Sequence, residues 1–276
     1  MTIIQKSTSF ILVLYMTEKL KNSLDMVSFQ KRFVLWLLVW AHVVRGVVTL
    51  LVTFRSSNPS AKDAHIKSWS KRLLTLFGLE LGVNNASIIP STPYLLASNH
   101  ISWIDIHAIN AFKPIRFVAK SEVETWPIFG WMAKQLGTVF IQRGNSRHAI
   151  QVVGNMTKAL ETESICIFPE GTSTEGHSVR PFKANLFESA VISHAPVYSL
   201  AIEYFDRKTG LRTDITAFVG EMGLLESMSK ILKHRNLRVE LTFFSPSSAR
   251  SQFSNDRKWL ALQSQEQISE YLARNS

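Results

Sequence analysis

The sequence predicts an α/β protein: a single domain over 81–276 with a largely internal mixed sheet flanked by helices, preceded by an N-terminal membrane-associated helical region over 1–80. Three observations carry this expectation. After residue 90, short apolar β-rich runs alternate with segments of helical period. A chain of 276 residues, 46% apolar, can bury a sizeable core. An apolar run from Phe33 to Phe54 precedes all of it.

At the N-terminus, Phe10 to Tyr15 is apolar but too short to span a bilayer. The run from Phe33 to Phe54 could cover about 30 Å of hydrocarbon as a helix. Near its middle stand His42 and Arg45, and a central arginine costs about 3 kcal/mol on insertion scales, which the surrounding Leu, Val and Phe can offset. Lys19, Lys21, Lys31 and Arg32 precede the run, and Arg55, Lys62, Lys67, Lys71 and Arg72 follow it. Two basic flanks favour keeping both ends on the cytoplasmic side, so a re-entrant or interfacial hairpin broken near Arg45-Gly46 is expected over a single crossing. Ile66, Trp69, Leu73, Leu76 and Phe77 then recur at helical spacing among lysines and arginines, as in a basic amphipathic helix or a helix packed on the core.

Five runs read as buried strands: Tyr94 to Ser98, Ile115 to Ala119, Thr138 to Ile141, Ser164 to Phe168 and Val197 to Glu203. Asn145 or Ser146 caps a helix running toward Thr162, and Pro181 to Ser193 reads as another. Ile215 to Val219 and Leu237 to Phe244 extend the sheet, and Asp256 to Arg274 forms a terminal helix. The net charge of +10 suits an anionic partner. Nucleic acid is not favoured, because the sequence has neither zinc-finger spacing nor an aromatic RNP-like pattern. Cys166 is the only cysteine, which excludes an intrachain disulfide and a cysteine-rich zinc site.

The chemistry concentrates in Asn99-His100-Ile101-Ser102-Trp103-Ile104-Asp105. On a continuous helix, residues five apart point about 140° away from each other, so His100 and Asp105 meet only if the chain turns between them. His100 then leaves a strand end, and Asp105 sits in the first turn of the next helix with Ser102 as its cap. A carboxylate in that place holds an imidazole in one tautomer and makes it a general base. The same spacing fits a serine-x-x-acid capping pattern, in which Asp105 only satisfies backbone donors. His107 has no evident partner and reads as structural.

Four blocks in order resemble the glycerolipid acyltransferase family, of the lysophosphatidate acyltransferase type: Asn99-His100 through Asp105 (the HX4D motif), Gly137 through Arg143, Phe168-Pro169-Glu170-Gly171-Thr172, and Ala195-Pro196-Val197. The resemblance covers roughly residues 75 to 225. It implies an O-acyltransferase in which His100 and Asp105 are catalytic, and an acyl chain moves from acyl-CoA or acyl carrier protein to a lysophospholipid hydroxyl. It also implies acceptor or headgroup contacts from Lys120, Arg143, Glu170, Gly171, Thr172 and Lys183, with Pro196 and Val197 shaping the acyl pocket and packing the core. It requires no cofactor and no metal, and places the enzyme at the cytoplasmic face of the cell inner membrane. The first acceptor implied is 1-acyl-sn-glycerol 3-phosphate, giving phosphatidic acid. The family often carries arginine where this chain has Ser173, which leaves a lyso-ornithine lipid or another lysolipid as an alternative. A thioesterase or hydrolase would use the same pair, but no Gly-x-Ser-x-Gly elbow occurs.

Overall fold

The computed structural model describes residues 27–54, 56–142, 146–246 and 256–274. The run at Phe10 to Tyr15 lies outside them, as does Arg143. The chain opens with two helices, α1 (Phe29–Val52) and α2 (Pro59–Phe77), followed by strand β1 (Leu79–Asn84). Next come β2 (Leu95–Ser98), α3 (Asp105–Phe112), β3 (Arg116–Lys120), α4 (Ser121–Glu124), α5 (Phe129–Gln135) and β4 (Val139–Ile141). The second half holds α6 (Ser146–Ala159), β5 (Ile165–Ile167), α7 (Glu188–Ser193), β6 (Val197–Asp206), α8 (Leu224–His234), β7 (Leu237–Phe244) and α9 (Arg257–Arg274).

The seven strands form one mixed sheet in the order β1-β7-β6-β2-β5-β3-β4. Strands β6, β2, β5, β3 and β4 run parallel, β7 is antiparallel to β6, and β1 is parallel to β7. Every residue of β2 and β5 is buried, as helices on both faces of a parallel sheet require. The chain leaves β2 toward β3 and β4, then returns to place β5 against one side of β2 and β6 against the other. The reversal opens a crevice at the carboxyl ends of these strands, where α/β sheets hold their ligands.

The predicted hairpin in the first apolar run is not formed: α1 continues unbroken through Arg45 and Gly46. Arg45 lies on the exposed side, so it does not interrupt packing. Gly46 faces inward because a Cβ there would stand 2.6 Å from Trp69 Nε1. Trp69 cannot yield easily, since its Nε1 donates to the His42 carbonyl at 3.2 Å and its ring stacks on His42 at 4.7 Å. Gly46→Ala is therefore expected to cost about 1–3 kcal/mol by overpacking; urea unfolding measures it.

α2 starts at Asn58, whose side chain accepts from the Ala61 N–H at 2.8 Å, and stops at Gly78 in the left-handed conformation. Leu35 and Val39 of α1 and Leu73, Leu74 and Phe77 of α2 join the main core cluster with Ile104, Leu200 and Leu241. The outer face of α1 remains apolar and exposed at Phe33, Leu37, Val44, Val48 and Leu51.

Three further differences have physical causes. Ile215 to Val219 forms no strand, because β6 is already paired on both sides by β2 and β7; the segment instead crosses the end of the sheet. Pro181 to Ser193 becomes helical only from Ala184, the preceding residues being drawn toward the turn after β5. Leu79–Asn84 gave no strand signal, yet it pairs along β7.

Arg212 forms a mostly buried ion pair with Glu203 of β6 and donates to the Leu272 carbonyl at 2.8 Å. Arg212→Met leaves a buried carboxylate uncompensated and is expected to destabilise by about 3 kcal/mol or more, read as a lowered thermal midpoint.

Candidate active site

The end of β2 is fixed before the turn to Asp105 begins. Asn99 side-chain Oδ1 accepts from the Ile202 N–H at 2.8 Å and its Nδ2 donates to the Ile202 carbonyl at 3.0 Å, so a side chain continues the sheet's pairing. The chain then turns, and His100 leaves the strand facing the first residue of α3. His100 Nδ1 lies 2.9 Å from Asp105 Oδ2. The carboxylate has no hydrogen of its own to donate, so Nδ1–H donates and Nε2 carries the lone pair. Nε2 has no hydrogen-bond partner among the described residues; the His100 side chain is 21% exposed while that of Asp105 is fully buried.

Asp105 contacts both the imidazole and the backbone of the turn. Its Oδ2 also accepts the Ile101 and Ser102 N–H groups at 2.8 and 2.9 Å, which closes the turn. Ser102 does not cap α3: the residue before the helix is Ile104, and the Ser102 hydroxyl is buried without a partner. Asp105 is the first residue of α3, and the N–H groups it accepts from lie before the helix, in the turn. Its Oδ1 accepts from the Tyr204 hydroxyl at 2.5 Å. Tyr204 escaped the sequence reading because 99 positions separate it from Asp105 and nothing local marks it.

The turn after β5 braces this arrangement from the other side. Glu170 Oε1 accepts the His100 N–H at 2.8 Å and Oε2 accepts the Arg180 N–H at 2.9 Å. Both carboxylate oxygens are thus committed to backbone, and burial pushes its pKa up. Gly171 supplies the positive φ of 69° that lets the turn fold back. Its own N–H donates to the Phe168 carbonyl at 2.9 Å, so it is not available to a ligand. The Phe168 ring stacks on His100 with centroids 4.1 Å apart. Thr174 N–H donates to the His100 carbonyl at 2.9 Å, and the Ser173 hydroxyl donates to the Phe218 carbonyl. Phe218 N–H donates to the Ile101 carbonyl at 2.9 Å, which is how the segment once expected as a strand closes over the site.

Lys120 ends β3 opposite Ile141. The Lys183 side chain is exposed, and its backbone N–H donates to the Pro169 carbonyl at 3.0 Å. Thr172 is half-buried in the turn. Val197 packs the core at the start of β6, where it pairs with Leu95, at the opposite end of the strands from the turn, and Pro196 before it is exposed. They do not shape the cavity beside the site. That cavity, about 180 Å³, lies between α1, α2, α3 and α5, and its lining includes Leu50, Trp69, Trp103, Phe117 and Met132. Phe117 stacks on Phe168 at 6.2 Å, so the cavity wall is two ring contacts from the His100 imidazole.

The acyltransferase family profile matches residues 80–203. A lyso-ornithine lipid O-acyltransferase of Pseudomonas aeruginosa is 32% identical over 72% of this chain and 75% of its own length. The chain belongs to the acyltransferase family. A 1-acyl-sn-glycerol-3-phosphate acyltransferase of Neisseria gonorrhoeae is also 32% identical, over 77% of this chain and 80% of its own. The crystal structure of the 1-acyl-sn-glycerophosphate acyltransferase PlsC from Thermotoga maritima shares the fold, with a TM-score of 0.58 and 21% identity over 89% of this chain and 99% of that one. The chain is therefore an O-acyltransferase of the glycerolipid type, and the resemblance read in its four blocks is borne out.

One half-buried titratable group of this acyltransferase predicts acid behaviour. Burial lowers the His107 pKa from 6.5 to about 4. In the unfolded chain this histidine binds a proton below about 6.5, whereas in the folded chain it stays neutral down to about 4; stability therefore falls as pH drops through that window. At pH 5 the loss is about 2 kcal/mol, at 1.36 kcal/mol per pKa unit. His107→Leu is expected to flatten the fall between pH 7 and 5 in chemical denaturation.

Proposed function

We propose that this acyltransferase moves a fatty acyl chain from a thioester donor, acyl-CoA or acyl carrier protein, to the free hydroxyl of a lysophospholipid, with 1-acyl-sn-glycerol 3-phosphate as the acceptor and phosphatidic acid as the product. The single observation that carries the mechanism is the 2.9 Å His100–Asp105 contact with Nε2 left open. His100 Nε2 takes the proton of the lysolipid hydroxyl as its oxygen attacks the thioester carbonyl. Asp105 stabilises the imidazolium that forms. As the tetrahedral intermediate collapses, the carbon–sulfur bond breaks and the imidazolium returns the proton to the departing thiolate. The Thr172 and Ser173 backbone N–H groups make no hydrogen bond among the described residues, and Thr174 beside them is tied to His100; we assign them to the carbonyl oxygen as it becomes negative.

Glu170 and Gly171 support binding by shaping this turn, and Lys120, Arg143 and Lys183 supply cations for the headgroup phosphate. The apolar cavity takes a fatty chain of one of the substrates. Ser173, engaged with the Phe218 carbonyl at the position where the family resemblance leads one to expect arginine, favours a second reading: the acceptor is a lyso-ornithine lipid. Purified protein assayed with labelled donors against a panel of lysolipids decides between them. Phosphatidic acid formation at least tenfold faster than any other product supports the first reading, and preference for lyso-ornithine lipid replaces it.

The same reading places the enzyme on the cytoplasmic face of the inner membrane. By length and composition α1 could cross a bilayer. However, one side of it is buried from Leu35 to Leu50, about 22 Å of helix, against the enzyme's own core. A crossing would pull that core into hydrocarbon, so we place α1 along the interface with Phe33, Leu37, Val44, Val48 and Leu51 toward the lipid. Substituting Leu37, Val44 and Val48 together by lysine is expected to move most of the protein from the membrane pellet to the supernatant. Unchanged sedimentation removes this placement.

A further inference from the structure

The cavity beside the site is apolar except at a few points on helix faces, and one of them is an anomaly. His107 lines it two positions beyond Asp105, about 200° around α3 and therefore on the helix face opposite the catalytic carboxylate. Its ring sits between tryptophans, 5.3 Å from Trp69 and 5.9 Å from Trp103 by centroids. Nδ1 is buried without a hydrogen-bond partner, and neither ring nitrogen has one among the described residues. Asn110, one turn further along α3, also lines the cavity. Its Oδ1 accepts the Ile115 N–H at 3.2 Å, while its Nδ2 has no partner among the described residues. Polar groups shut away from water without a partner are costly, and a purely hydrocarbon occupant would cover this imidazole and this amide without pairing them.

We propose that His107 and Asn110 form a polar subsite within the cavity that hydrogen-bonds an oxygen on the bound fatty chain, so that the enzyme prefers a hydroxylated chain to a plain one of equal length. This rests on the reading that the cavity takes a fatty chain. A neutral imidazole, which burial ensures here by lowering its pKa to about 4, offers one donor and one acceptor. A chain hydroxyl is both as well, so it can pair with the imidazole and accept from the Asn110 amide. Discrimination of this type is strong because a site built around a hydroxyl loses its own hydrogen bond when the hydroxyl is missing.

The test uses the full-length protein in detergent or lipid vesicles. One arm compares thioester donors carrying a 3-hydroxyacyl or a plain acyl chain of the same length. The other compares lysolipid acceptors whose resident chain does or does not carry a hydroxyl. The quantity read is the ratio of kcat/KM, hydroxylated over plain, within each variant, so any general loss of activity cancels. Wild type is expected to show a ratio of about ten in one arm, which also identifies the substrate that fills the cavity. His107→Leu is expected to bring that ratio to one or below, and His107→Gln to keep most of it. A wild-type ratio of one or below in both arms overturns the proposal, whether or not the leucine variant folds, and assigns the orphan nitrogens to ordered water. An unchanged ratio in a folded His107→Leu overturns it equally. Ala133→Phe, which fills the cavity from α5, separates the underlying reading: if the chain-length profile does not shift, the cavity holds no chain and both readings fall. If it shifts while the hydroxyl ratio stays at one, only the subsite fails.

Discussion

His100→Ala is expected to lower kcat by about 10³–10⁴-fold while leaving a folded enzyme. The magnitude is that of removing a positioned general base, the role proposed for His100. The fold should survive because Asp105 keeps three of its four partners, the Ile101 and Ser102 N–H groups and the Tyr204 hydroxyl, so the turn stays closed. A stability change of about 1–2 kcal/mol is expected, from one lost hydrogen bond and the lost stack on Phe168. Turnover within tenfold of wild type, with a normal thermal midpoint, would remove His100 from the chemistry.

Asp105 gives the second large effect, and here the choice of substitution separates two roles of one carboxylate. Asp105→Asn keeps the shape. Its amide oxygen can accept the two turn N–H groups and His100 Nδ1–H, while its NH₂ group can donate to the Tyr204 hydroxyl. The turn is preserved, but the negative charge that stabilises imidazolium is gone, so kcat falls by about 10³-fold or more with stability reduced by about 1–2 kcal/mol. Asp105→Ala instead leaves four buried or half-buried donors unpaired, and a loss of several kcal/mol in urea unfolding is expected on top of inactivity. If the asparagine variant keeps wild-type turnover, the carboxylate only holds the turn. Tyr204→Phe should weaken the orientation without removing the charge, and its effect should vanish in the Asp105→Asn background if the hydroxyl acts through Asp105.

How far the sequence carried the site can be judged residue by residue. The His100–Asp105 pair was legible because the i,i+5 spacing admits contact only across a turn, and the turn is what β2 and α3 make. The role of Glu170 was not. The family resemblance implies an acceptor contact from Glu170, whereas its oxygens are held by the Arg180 and His100 N–H groups, the second of them 70 positions away in sequence. Tyr204 and the Ser173–Phe218 contact were invisible for the same reason. Gly46 was misread outright. In a one-dimensional pattern a glycine beside an arginine suggests a break, while in the fold it is the position where α1 approaches Trp69 most closely.

The sequence alone determined what local physics determines: the alternation of buried strands and helices, the apolar first helix, the absence of disulfide chemistry, and the histidine–aspartate turn. These depend on period, composition and short-range spacing, which survive without coordinates. Only the tertiary structure decided that α1 runs straight, that Asp105 holds the turn backbone and the His100 imidazole at once, that the Ile215 to Val219 segment crosses the site instead of joining the sheet, and that an unpaired imidazole lines an apolar cavity. Each of those depends on which distant strand or helix occupies the neighbouring position, and hydrogen bonds or close contacts between residues far apart along the chain leave no periodic trace in it.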